Sequence, residues 1–296
     1  MSIGSQAERP RAATRANRAQ TRAAMPKKQL LRFENRGPSG LEYFVFIPSS
    51  GAEKSRVFVD VHGISRNIDE HARLFAPYCE AHGVTLVAPH FTQEKSKDYQ
   101  RLGRLGRGPR SDAALDSILE EIHEAIGAPT ERIYLFGFSG GAQFAHRYAM
   151  AYPHRVARAV VAAAGWYTFP DRRTRFPYGT RRSQDLPEVR FDPEAFLQVP
   201  MTVIVGDRDI TDIDLRRTPR VNRQQGETRL ERARNWVEAM RAAARSYRLE
   251  PLVTLETIPG GDHGFASLMQ SSDLGGRVFA AMFRDTPKPL ERTRHG

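Results

Sequence analysis

A doubly wound, mostly parallel α/β sheet is predicted from three observations. Short β-branched apolar runs alternate with segments of helical periodicity. The run Arg56–Val61 reads as a strand buried on both faces, the type parallel sheets use. Finally, Ile133-Tyr134-Leu135-Phe136 breaks into Gly137-Phe138-Ser139-Gly140-Gly141 and continues into helix-compatible sequence.

In chain order, Leu41–Ile47 and Arg56–Val61 read as strands, Asp69 to His82 as a helix, and Val84–Ala88 as a further short strand. Ser111 precedes Leu115, Ile118, Leu119, Ile122 and Ile126, a stripe at i, i+3, i+4 spacing that predicts an amphipathic helix capped by Ser111 and ended by Gly127 and Pro129. After the Gly-Ser-Gly turn, Gln143 to Ala151 contains no proline and extends the helix there. Val156–Ala164 is the next strand, then an irregular segment, then the strand Met201–Val205. Leu230, Ala233, Val237, Met240 and Ala244 mark a helix face, Val253–Ile258 the last strand, and Gly275–Phe283 a closing helix. No internal repeat is evident.

Composition fits one domain. A chain of 296 residues can bury a large core without splitting. The boundaries expected are a disordered basic tail over 1–28, a domain over 29–286 and a flexible tail over 287–296. The formal charge of +11 raises nucleic-acid binding as a reading, but the first 28 residues hold seven basic residues against the single acid Glu8. That segment has no apolar periodicity, so its charge argues for a solvated tail rather than a nucleic-acid surface. Met25 is a second candidate start. The one cysteine, Cys79, excludes an internal disulfide and is expected to be buried. The first residues lack the apolar core of a secretory signal, and no apolar run is long enough to span a bilayer, so a cytoplasmic protein without membrane partners is expected.

The segment around Ser139 carries the most chemistry. A Gly-x-Ser-x-Gly turn between strand and helix is so tight that side chains at Gly137 and Gly141 would strike neighbouring backbone, and it forces the serine into a strained conformation at the end of a central strand. With this elbow in place, the chain resembles the α/β-hydrolase superfamily from about Leu41 to Phe283. Val57-Phe58-Val59-Asp60-Val61-His62-Gly63-Ile64 is similar to its strand ending in a His-Gly oxyanion turn. Val203-Ile204-Val205-Gly206-Asp207-Arg208-Asp209 is similar to the strand whose loop supplies an acid, and Pro259-Gly260-Gly261-Asp262-His263-Gly264-Phe265 to the loop that supplies a base. The order Ser, Asp, His is the order of that superfamily. The short His-Gly turn and the elbow are also similar to polyhydroxyalkanoate depolymerase and feruloyl esterase relatives.

The resemblance implies a carboxylic ester hydrolase with Ser139 as nucleophile, His263 as base, and no metal or organic cofactor. For the acid it implies Asp209, with Asp207 as the alternative. The oxyanion donors would be the backbone amides of Gly140 and Ile64, with Ser65 competing for the second place. His62 is expected to brace that loop. Trp166–Gln198 occupies the place where such hydrolases insert a small cap, and Trp166 and Tyr167 are the candidate substrate contacts. A small-molecule or polymeric ester is the expected partner. The same machinery cleaves amides, so a serine peptidase or amidase is the competing activity. The basic stretch His90–Ser111 offers a rim for anions or a solvated charge run.

Overall fold

The computed structural model describes residues 25–211 and 214–283; of the two predicted tails, residues 1–24 and 287–296 lie outside the described residues. Eight strands form one sheet: β1 (Leu30–Glu34), β2 (Glu42–Phe46), β3 (Val57–Val61), β4 (Thr85–Pro89), β5 (Ile133–Phe138), β6 (Val156–Ala162), β7 (Met201–Gly206) and β8 (Val253–Ile258), in the order β1-β2-β4-β3-β5-β6-β7-β8. β1 pairs antiparallel with β2 and β2 with β4, and every other pairing is parallel. The chain winds outward from β3 to β4, then crosses back to lay β5 on the other side of β3. The carboxyl ends of β3 and β5 therefore flank the point where the winding direction reverses, which is where open α/β sheets hold their ligands.

Side chains alternate across the central strands. Val57, Val59 and Val61 enter the core on one face, and Phe58 the core on the other. The first face is covered by α2 (Ser111–Ile126), α3 (Gly140–Ala151) and α6 (Arg229–Ser246), whose Leu115, Phe144 and Trp236 are fully buried. The second is covered by α1 (Ile68–His82), α7 (Phe265–Ser271) and α8 (Leu274–Phe283), through Phe75, Leu268 and Phe279. Cys79 is buried in this second core, and burial pushes its thiol well above the ordinary range. None of the described helices is long and apolar enough to cross a membrane.

Several elements depart from the sequence-based expectation. β1 is an unpredicted edge strand: it is short, its pattern of half-buried and exposed residues is polar at Arg32 and Glu34, and its pairing with β2 is what orders it. Ser111 is not the cap of α2 but its first residue. Arg110 takes the capping position in extended conformation with no side-chain cap, held by Asp112 and Glu188, and the Ser111 hydroxyl is buried without a partner. The segment between β6 and β7 contains only α4 (Pro193–Phe196), and its Phe176, Leu186, Val189 and Phe196 join the first core. It packs down onto the domain beside α3. The short helix α5 (Pro219–Gln225), which begins at Thr218 with a side-chain cap onto Val221, was also not predicted.

Candidate active site

Ser139 sits between β5 and α3 at φ 52° and ψ −109°, a conformation in which an L-residue is strained. The elbow glycines explain how the turn closes. A Cβ on Gly137 would lie 2.2 Å from the Gly141 carbonyl oxygen, and one on Gly141 would lie 1.9 Å from the Val61 carbonyl oxygen. The backbone of α3 is thus pressed against the end of β3, which brings Ser139 beside the His62-Gly63-Ile64 turn.

His263 and Asp209 arrive on the loops after β8 and β7. These two loops touch: a Cβ on Gly206 would stand 2.1 Å from the Gly261 carbonyl oxygen, and Arg208 N donates to that same oxygen at 2.9 Å. Asp207 is exposed and its Oδ1 accepts from Gly260 N at 2.8 Å, which ties the turn down and turns this carboxylate away from His263. Asp209 is fully buried, with Oδ2 2.8 Å from His263 Nδ1. His263 Nε2 lies 3.0 Å from Ser139 Oγ. With Nδ1–H donating to the carboxylate, Nε2 is left to accept the serine proton.

A residue that sequence reasoning missed stands behind Asp209. Arg229, at the first position of α6 and 1% exposed, places Nη1 3.1 Å from Asp209 Oδ1. An arginine at a helix start, next to the capping box of Thr228 and Glu231, carries no sequence signal that it turns inward.

Ile64 is 42% exposed beside Ser139, and a Cβ on Gly140 would lie 2.8 Å from its Cγ2. Among the described residues, neither the Gly140 nor the Ile64 amide donates to a protein acceptor. His62 is fully buried below this turn. Its Nδ1–H donates to the Gly63 carbonyl at 2.7 Å and its Nε2 accepts from Phe91 N at 3.0 Å. Burial pushes the ring down to about 3, so it stays neutral and both bonds persist. Tyr99 adds a bond from its hydroxyl to the His62 carbonyl.

The open space over Ser139 is a cleft of about 500 Å³ walled by Gly63, Ile64, Asn67, His71, Phe138 and Phe265, among others. Neither expected substrate contact lines it. Tyr167 is fully buried, stacked on Trp236 with centroids 4.8 Å apart, because the segment after β6 folds into the core. Trp166 is 3% exposed and lies under arginine side chains, next to Gly165, where a Cβ would lie 3.3 Å from Gln143 Nε2.

No family model matches the chain, and no curated protein matches it in sequence. Solved structures do. A poly(aspartic acid) hydrolase from Sphingomonas superposes with a TM-score of 0.72 at 25% identity, over 83% of this chain and 97% of that one. A poly(3-hydroxybutyrate) depolymerase from Bordetella parapertussis superposes with a TM-score of 0.68 at 28% identity, over 84% of this chain and 94% of that one. A fluorophosphonate-binding serine hydrolase from Staphylococcus aureus, 13% identical, has a TM-score of 0.57 over 86% of this chain and 99% of that one, a likeness of fold alone. The fold is that of the α/β hydrolases.

Proposed function

We propose that this α/β-hydrolase-type enzyme cleaves a carboxylic ester through an acyl-enzyme formed on Ser139. The observation that carries the reading is the continuous chain Ser139 Oγ, His263 Nε2 and Nδ1, Asp209 Oδ2, at 3.0 Å and 2.8 Å, opening into a cleft. In the first half-reaction Ser139 Oγ adds to the ester carbonyl carbon while His263 Nε2 takes its proton. The carbonyl oxygen becomes an oxyanion facing the amides of Gly140 and Ile64, whose lack of protein acceptors supports that role. Collapse breaks the bond to the alcohol oxygen, which leaves with the proton from His263. In the second half, water adds to the acyl carbon as His263 takes one of its protons, and Ser139 leaves with that proton restored. Asp209 holds the imidazole in the productive tautomer and faces the imidazolium in each half.

The two solved structures at 25% and 28% identity are both named for hydrolysis of a polymer, which supports a polymeric substrate as well as a small ester. One is named for poly(aspartic acid), a polymer joined by amide bonds, and this favours amide cleavage as the second reading. The site is taken to act in the cytoplasm, a reading that rests on the single cysteine, Cys79, which cannot form an internal disulfide. The test is labelling by a fluorophosphonate probe beside a panel of p-nitrophenyl esters of rising chain length and one p-nitroanilide. Labelling and ester turnover that both vanish in Ser139→Ala are expected; undiminished labelling of that variant removes the nucleophile assignment.

A further inference from the structure

Beyond the cleft, arginines gather on one indole. The Arg147 guanidinium lies 4.2 Å from the Trp166 ring centroid, Arg216 5.5 Å and Arg101 5.6 Å. Arg147 is fully buried: Nε donates to Thr168 Oγ1 and Nη1 to the Gln100 carbonyl, while Nη2 is buried with no partner. Arg101 is half-buried and Arg216 exposed, with Nη2 donating to Tyr178 Oη at 3.2 Å. Among the described residues none of the three makes an ion pair with a carboxylate, and Asp98, the acid beside Arg101, is turned to Arg104 and Arg107. Burial and its two cationic neighbours hold Arg147 well below its ordinary value. Contact with the ring offsets part of this repulsion and Asp98 part of the charge on Arg101, but among the described residues no carboxylate pairs with the cluster.

The cluster is linked to the reacting serine through Gln143 and Gln100: Arg147 Nη1 donates to Gln143 Oε1 at 3.4 Å as well as to the Gln100 carbonyl. Arg147 lies two turns along α3 from Ser139, about 12 Å of helix rise, and its side chain leans back toward the helix start. The Gln100 whose carbonyl it holds places Nε2 2.9 Å from where a Cβ on Gly140 would be. Gln143, one turn from the nucleophile, bonds Ser139 O through its amide and faces Gly165, the residue before Trp166.

We propose that Arg101 and Arg216, backed by the buried Arg147, form a carboxylate-binding subsite beside Ser139, so that the substrate is an ester of an acid carrying a further carboxylate. A planar carboxylate bridging the two outer guanidiniums supplies the missing counter-charge and accepts in the fork geometry that arginine favours. The proposal rests on the ester-hydrolase reading above, so its test has one arm that needs no turnover. Glutarate is titrated into Ser139→Ala protein with tryptophan fluorescence as readout, Trp166 reporting, and the titration is repeated with Arg216→Gln and Arg101→Gln added in turn. Turnover of mono-p-nitrophenyl glutarate and p-nitrophenyl butyrate is compared in parallel. Saturable glutarate binding that weakens about tenfold in each arginine variant is expected, together with a fall of about tenfold in the ratio of kcat/KM for the acidic over the neutral ester. No glutarate binding, or equal losses on both esters, overturns the subsite, as does inorganic phosphate binding more tightly than glutarate. Glutarate binding that depends on the arginines in a protein that turns over neither ester upholds the subsite and overturns the ester reading alone.

Discussion

Asp207 and Asp209 stand two positions apart in one loop, and sequence spacing leaves both open as the acid. Geometry separates them by their partners: Asp209 Oδ2 meets His263, whereas Asp207 Oδ1 meets the Gly260 amide. Asparagine at 207 keeps the accepting oxygen, so Asp207→Asn is expected to change kcat within a few-fold. Asparagine at 209 loses the charge facing the imidazolium and can present an N–H to Nδ1, so Asp209→Asn is expected to lower kcat by roughly 10³ to 10⁴. Steady-state kinetics of the two variants checks this, and the reverse ranking moves the acid to Asp207. Arg229 gives a second residue-scale prediction. Its ion pair with Asp209 is buried at both ends, so Arg229→Met strands a carboxylate in the interior and is expected to cost about 3–5 kcal/mol in urea denaturation. In an Asp209→Asn background the same change is expected to cost much less, because no charge is left to strand. Equal costs in the two backgrounds would show that the arginine acts through packing alone.

At the scale of elements, what the sequence made legible is what local sterics dictate. The elbow was readable because glycine is demanded at Gly137 and Gly141 by backbone 2.2 Å and 1.9 Å away. Alanine at either position is expected to cost about 3 kcal/mol or to abolish folding, while Gly63→Ala, whose Cβ would meet nothing nearer than 3.6 Å, is expected to be tolerated in the same denaturation assay. Helix α2 was readable from its stripe, but not its start, because Arg110 is placed by Asp112 and by Glu188, far off in sequence. The His62-Gly63-Ile64 turn depends on a histidine whose burial no local pattern announces. His62 is held down to about 3 in the folded protein against an ordinary 6.5, so between those values the unfolded chain takes up a proton that the folded one refuses. Its contribution is complete above pH 6.5 and is lost as pH falls toward 3, with a slope approaching about 1.4 kcal/mol per pH unit for one proton. His146, likewise buried and shifted down, adds to the slope. Denaturation midpoints across that window are expected to fall less steeply in His62→Gln than in the parent. Parallel slopes would show that His62 does not carry the acid sensitivity.

For the whole molecule, the alternation of strands and helices was enough to give the sheet its class, whereas the destination of the segment after β6 was not readable. Trp166 and Tyr167 look alike in sequence, yet Tyr167 stacks in the core and Trp166 underlies arginines drawn from three separate segments. Only tertiary placement distinguishes them. The edge of the domain raises a similar question at the amino end, where composition set the boundary after Lys28. The described chain is engaged earlier than that: Met25 packs against the first core, Lys27 Nζ donates to the Ser49 carbonyl, and Lys28 N to the Ile47 carbonyl. Residues 1–24 carry no apolar periodicity and none of the proposed site, so a chain beginning at Met25 is expected to keep its melting temperature and its kcat/KM on neutral esters. A chain beginning at Gln29 loses an apolar side chain against the core and two bonds to the loop after β2, and is expected to melt several degrees lower. Thermal melts of the two truncations beside the full chain separate the possibilities. A drop already present at the Met25 start would place the domain boundary inside the basic segment, and no drop at the Gln29 start would return it to Lys28.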